Sequence, residues 1–275
     1  MILPSAVCAS RVCVRRSRTI AVRYRPEPEP VLRPFARGLP GRHIRTLFGK
    51  VARMDSVRIY SEVQERLIAL ADSLDTAALD TTVPACPDWT VHQTYAHLAG
   101  LCADVAAGTV TPPASDEVTA RQVAKRADHS IARICDEWRA GTPALLDLLG
   151  TRNRMRYRLP VVDAWTHEND IHGALGLEPV TEHADTLLDF ALTGLGRAWS
   201  EQAPGLTVTA TDADLSWNLG AGGGLHWRGT AFELYRALMG RRTPGQIVAM
   251  DWTGDPAPIL SSLSLLPAAR TPLTV

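Results

Sequence analysis

Between Ser56 and Gly176 apolar residues return every three or four positions, stretch after stretch. A chain with that rhythm has to bury several helical faces against one another. Tyr60, Val63, Leu67, Leu70 and Leu74 mark a first helix, and a turn follows at VPACPDW. The second helix opens at Thr90-Val91-His92-Gln93, where a Thr N-cap with Gln three residues on fits a capping box. It runs through YAHLAGLCADVAAG to Gly108. A third helix is expected after Ser115, carrying Val123, Ala127, Ile131, Ile134 and Trp138, with the shorter apolar piece PALLDLLG behind it. A fourth contains DAWTHENDIHGALG and ends near Gly173 or Gly176. Four amphipathic helices with mostly short connections are the parts of a four-helix bundle.

The texture then changes. After a further helix from about Ala184 to Trp199, LTVTAT and LSWNL alternate like strands and GAGGG reads as a turn. RGTAFELYRALMGRR reads as a helix, and IVAMDWTGDP as one more strand and a turn. The fold class is therefore mainly α: a bundle at 54–178 followed by a small α+β domain at 182–270. The glycine-rich turn lacks the Gly-Lys-Ser/Thr of a phosphate loop. His226 beside Trp227 is assigned to a strand face, and His92 to a solvated position.

Net charge is zero, but residues 1–53 hold 12 Lys and Arg against 2 Asp and Glu, leaving the remainder at −10. With its PEPEP run and no sustained period, this segment reads as a basic, disordered extension. Met54 begins the helical pattern, so an upstream start codon could account for it; a phosphate-binding arm is the alternative. A secretory signal would set its charges before its apolar core, and here the order is reversed. The five cysteines, Cys8, Cys13, Cys86, Cys102 and Cys135, are odd in number and form no C-x-x-C pair, which argues for reduced thiols in a cytosol. No apolar run reaches the ~20 residues of a membrane span.

The segment 163–176 is the chemical puzzle. Asp163 and His167, four apart on a helix, share one face, with Asp170 further along the same stripe and His172 nearly opposite. Two groups on one helix leave most of a metal's coordination sphere open. His97, at the rim of the apolar stripe of the second helix, is the candidate third ligand. Two histidines and one carboxylate, with the fourth position left to water, is the pattern of catalytic zinc. Asp170 would orient His167 from behind. On spacing alone, a satisfied core histidine at 97 and a chance Asp/His pair remain the alternative. Cys86 and Cys102 flank this region and could approach the metal, although a buried free Cys is commonly a small apolar residue.

PACPDWTVHQTYAHLAG resembles the Cys-Pro-x-Trp-Thr-Val … His-Leu-Ala-Gly segment of the mycothiol-dependent maleylpyruvate isomerase family, which belongs to the DinB-like metal-binding bundles. The segment from Asp163 resembles its carboxylate-x-x-Val-His-x-x-Asp-Ile pattern followed by Ala-Leu-Gly. TATDADLSW, the glycine-rich turn and RGTAFELYRALMGRR resemble its second domain. The resemblance spans about Asp55 to Asp255 and implies metal ligands at His97, Asp163 and His167. The family's usual Glu is Asp163 here, one methylene shorter.

What the resemblance implies is a metal- and mycothiol-dependent enzyme, an isomerase or transferase, with a divalent metal, zinc first, as cofactor. A metal-favoured thiolate adds to a small electrophile. In the name-giving reaction it adds to the double bond of maleylpyruvate, and rotation and loss of the thiol give fumarylpyruvate. Arg241 and Arg242 are candidates to bind a dianionic substrate, or else a charge pair at a helix C-terminus. The expected partners are a small-molecule thiol and a small electrophile. No membrane is involved, nucleic acid is disfavoured, the location is cytoplasmic, and the chain is a monomer or homodimer. A non-catalytic metal-binding regulatory or thiol-sensing protein is the alternative, and a metal-free interaction module a further one.

Overall fold

The computed structural model of the chain describes residues 54–199, 203–220 and 224–275. The basic extension and the centre of the glycine-rich turn lie outside them. By their contacts the described residues fall into one compact unit.

Helix α1 (Ser56–Ala71) starts where the Asp55 carboxylate accepts the Arg58 N–H, and it buries Ile59, Tyr60, Val63 and Leu67. A single turn, α2 (Thr76–Leu79), leads to a small hairpin of β1 (Thr82–Val83) and β2 (Cys86–Thr90) with a bulge at its start. The pattern VPACPDW reads as a bare turn because β1 spans only two residues and β2, with Pro87 inside it, does not alternate between buried and exposed positions. Helix α3 (Val91–Ala106) opens with the expected reciprocal cap between Thr90 and Gln93. Gly108 behind it takes φ +70°, a conformation costly for any residue with a Cβ.

The third sequence segment divides. Helix α4 (Asp116–Ala124) ends early, and α5 (Ile131–Thr151) begins at Ser130, whose hydroxyl accepts from Arg133 N. Ala127, which continues the periodicity in sequence, is exposed. What fixes the break is Arg126 just beyond α4. Buried at 2% exposure, it turns back to grip Glu137 of α5 with Nε–Oε2 2.8 Å and Nη2–Oε1 2.5 Å. PALLDLLG is no separate piece but the second half of α5, which carries Pro143 inside it. The ring denies Arg139 its helical hydrogen-bond partner, and Arg139 lies on the exposed side.

Helix α6 (Leu159–Leu175) has Pro160 in its first turn and ends at Gly176 in the left-handed region, φ +66°. Helices α1 and α3 each pack on both α5 and α6, giving a four-helix bundle in the order α1–α5–α3–α6. Helix α7 (Ala184–Ala198) leads to a sheet in the order β4 (Leu215–Leu219), β3 (Leu206–Ala210), β5 (Leu225–Gly229), β6 (Asp251–Thr253). Only β3 and β5 run parallel. Leu206, Val208 and Ala210 point into the core while Thr207 and Thr209 face outward, where Thr209 bonds His226 Nε2 at 2.9 Å. Helices α8 (Ala231–Leu238), α9 (Pro244–Val248) and α10 (Leu260–Leu263) complete this mixed part. Among the described residues no helix is long and apolar enough to cross a membrane.

Candidate metal centre

Helix α6 is polar in sequence and buried in fact. From Pro160 to Ile171 every residue but Asp163 is enclosed, because α1 and α3 cover one side and α8 the other. Buried polar groups need partners, and each of these finds one. Glu168 takes the Arg66 guanidinium of α1 at 2.7 and 2.9 Å. Asn169 bonds both main-chain groups of Val180 and the Trp165 carbonyl. Thr166 meets the Tyr235 hydroxyl at 2.7 Å. Asp170 is gripped by Arg236 Nη1 at 2.8 Å and Arg241 Nη2 at 2.7 Å. His172 turns away and bonds the Glu178 carbonyl.

Asp163 differs. Its carboxylate, 32% exposed, faces two imidazoles: His97 Nε2 from α3 at 3.0 Å and His167 Nε2 at 3.6 Å. One ligand-type atom from each of the three residues lies within 4.8 Å of the others. The short Asp side chain therefore still reaches both rings. Trp89 of β2 leans over the pair, its ring 5.0 Å from that of His97 and 5.9 Å from that of His167.

The opposite edges of the two rings decide what these atoms can do. His97 Nδ1 lies 3.2 Å from Gln122 Oε1 of α4, and the Gln122 amide nitrogen donates to Asp104 at 2.7 Å. A carboxylate only accepts, so the amide nitrogen belongs on Asp104 and the amide oxygen on His97, whose Nδ1 must carry a hydrogen. His167 Nδ1 lies 3.1 Å from Asp170 Oδ2, off the line of a well-formed hydrogen bond. Burial pushes the Asp170 carboxyl up, but Arg241 and Arg236 outweigh it and hold the group well below the usual carboxylate range. An ionised Asp170 again leaves the hydrogen on Nδ1. Both Nε2 lone pairs thus point at a carboxylate that has only lone pairs to offer. Three acceptors converge, and the arrangement needs a positive species between them.

In the absence of a metal that species is a proton. Burial pulls the His167 pKa down, yet the Asp163 charge and the Asp170 carboxylate beside Nδ1 prevail, and it is pushed up to about 10. A divalent ion meets the same need. A tetrahedral ion about 2.1 Å from each ligand sets the ligand atoms about 3.4 Å apart; here the carboxylate lies 3.0 Å from His97 through Oδ2 and 3.6 Å from His167 through Oδ1, and one ligand atom of each residue is within 4.8 Å of the others. The residues fit.

Other clusters fit less well. Cys86, His167 and Asp170 also approach one another, but Asp170 is already committed to two guanidiniums. Glu62, Glu182 and His183 lie beside Arg58 and Arg66, whose charges oppose a cation. Cys86 is half-buried, with Sγ 3.7 Å from Arg241 Nη2, whereas Cys102 is enclosed beside Thr142 and the Trp138 carbonyl. His92 is tied to the His129 carbonyl rather than solvated. Both candidate arginines are buried and paired: Arg241 on Asp170, and Arg242 on Glu233 at 2.7 and 2.9 Å.

Three residues at this centre were not singled out by sequence. Arg236 sits with Phe232 and Tyr235 among the buried residues of α8, a place where a cation signals a buried partner. Trp89 belongs to the hairpin read as a turn. Gln122 lies on α4 with no motif or spacing around it that marks it out.

Residues 60–174 match the family model described as the mycothiol maleylpyruvate isomerase N-terminal domain. That match runs from α1 to the end of α6 and contains His97, Asp163 and His167. Over these residues the bundle is similar to that family's N-terminal domain. Among solved structures, the mycothiol-dependent maleylpyruvate isomerase and a point mutant of it align with 14% and 13% identity. Each covers 68% of this chain and 88% of its own, with a TM-score of 0.49. No curated protein matches the chain.

Proposed function

We propose that His97, Asp163 and His167 hold a divalent ion, zinc first, and that the chain is a mycothiol-dependent enzyme of the maleylpyruvate isomerase family. Its reaction is thiolate attack on a small electrophile, by isomerisation or S-transfer. The observation that carries the metal is the convergence of three lone pairs with no donor among them. The choice of mycothiol rests on the family of residues 60–174.

A bound ion supplies one thing: it favours the thiolate form of a thiol that reaches it. The remaining work falls to the chain. Asp163, 32% exposed against 5% and 8% for His97 and His167, marks the open side by which small molecules arrive. Trp89 walls that side above both rings and limits water. Asp170 orients His167, and Arg241 in turn fixes Asp170, so we assign Arg241 a positioning role rather than direct contact with substrate. Arg242, bonded to the Arg241 carbonyl and to Glu233, supports it from behind.

Cys86 favours a second reading, a thiol-sensing regulatory protein, because its half-buried Sγ adjoins Arg241 and lies 3.9 Å from Asp170 Oδ2. One assay separates the two. The zinc-loaded chain is given mycothiol and maleylpyruvate, then a panel of other small electrophiles. Consumption that requires both thiol and zinc, and that His167→Ala abolishes, supports the enzyme. Stable zinc binding with no electrophile consumed would overturn the enzyme and leave the sensor.

A further inference from the structure

His97, Gly100 and Asp104 form one stripe of α3, and that stripe faces α4. A Cβ at residue 100 would stand 2.7 Å from Gln122 Cβ and 2.9 Å from Gln122 Cγ, so only glycine lets α4 come this close. The approach delivers Gln122, 2% exposed, to the inner edge of the His97 ring. Arg126 Nη1 donates to the Gln122 carbonyl at 2.9 Å and anchors the main chain there.

His97 has a competing state. With its hydrogen on Nε2, the ring would donate straight to Asp163 Oδ2 across the same 3.0 Å. That tautomer satisfies both groups and closes the site to an ion. At 4% exposure His97 has little access to water that could tip the balance. The one group that selects the open state is the Gln122 carbonyl oxygen, and the group that keeps this oxygen turned inward is Asp104. We infer that Gln122, aimed by Asp104, is a positioning residue that holds His97 in the ligand-competent tautomer. The inference rests on the metal reading above only for its consequence; the tautomer itself is independent of it.

The test uses the full chain, labelled at its histidine ring nitrogens for NMR, with zinc as the probe. In the unaltered protein the neutral His97 ring carries its hydrogen on Nδ1, with or without zinc. In Gln122→Met the metal-free ring moves its hydrogen to Nε2. Zinc affinity then falls about 10–100-fold, while the thermal midpoint of the metal-free protein holds. Pairing Asp104→Asn with Gln122→Glu keeps one donor, one acceptor and an oxygen toward His97, and should recover most of the loss. Should Gln122→Met fail to fold, Asp104→Ala frees the amide to turn and gives a mixture of tautomers with weaker zinc binding. Gln122→Met or Asp104→Ala with the hydrogen still on Nδ1 and zinc affinity unchanged would overturn the inference. If the unaltered protein binds no zinc, the metal reading falls by itself, and the position of the His97 hydrogen still decides this one.

Discussion

Two carboxylates on the same face of α6, Asp163 and Asp170, sit in opposite kinds of environment. Asp170 is wholly buried and answered by two guanidiniums and an imidazole edge. Asp163 is one-third open and faces only two imidazole Nε2 edges, which answer it solely when a proton or another cation joins them. The first is balanced within the chain and reads as structure; the second is balanced only by something added. Charge content does not distinguish the two ends of the helix. What does is whether each acceptor has a donor, and the end where that accounting fails is the end that can bind.

The largest way to break the balanced end is Asp170→Ala. It strands Arg236 and Arg241 without their carboxylate, and breaking a buried pair in this way costs about 3–5 kcal/mol. Denaturant unfolding of the metal-free protein should show that loss. Asp163→Ala should do the reverse. Zinc affinity falls at least about a hundredfold as one of three ligands goes, while unfolding of the metal-free protein changes less than in Asp170→Ala, because His167 can shed its proton once the Asp163 charge is gone. Comparable destabilisation in both variants would erase the distinction. Glu168→Gln is milder, because Arg66 is 31% exposed and can turn to water; leaving it half-answered costs about 1–3 kcal/mol.

The smallest effect sharpens the comparison through pH. Metal-free His167, pushed up to about 10, is protonated at neutral pH, and an incoming ion must displace that proton. The folded pKa is raised, so the competing proton is fully held at low pH and lost only as pH climbs toward about 10. Zinc affinity should rise about tenfold, or ~1.4 kcal/mol, per pH unit through the neutral range. Calorimetry in buffers of different ionisation heat should count the released proton. An affinity flat with pH would mean that His167 is not a ligand.

Much of this was legible in sequence, for local reasons. The Thr90–Gln93 cap, the stop at Gly176 and the shared face of Asp163 and His167 all depend on residues within a few positions of one another. His97 could be placed because its own helix states which side is apolar. Asp170 was legible as a support for His167 but not as the meeting point of two arginines, since Arg236 and Arg241 come from 66 and 71 residues away. Gln122 was hidden by the broken helix. Once α4 is read as continuous with α5, nothing sets residue 122 against α3, and the glycine that permits the contact looks incidental. The break itself depends on Arg126 reaching Glu137, a side-chain pairing that apolar periodicity does not record.

The central claim is that a cation completes the site of His97, Asp163 and His167. It is tested most directly by the zinc content of the full chain after loading and dialysis, beside His97→Ala and His167→Ala handled alike. The account expects about one zinc per chain, lost in both variants while their unfolding stays cooperative. A folded parent that stays empty, or zinc retained equally in all three, would contradict it.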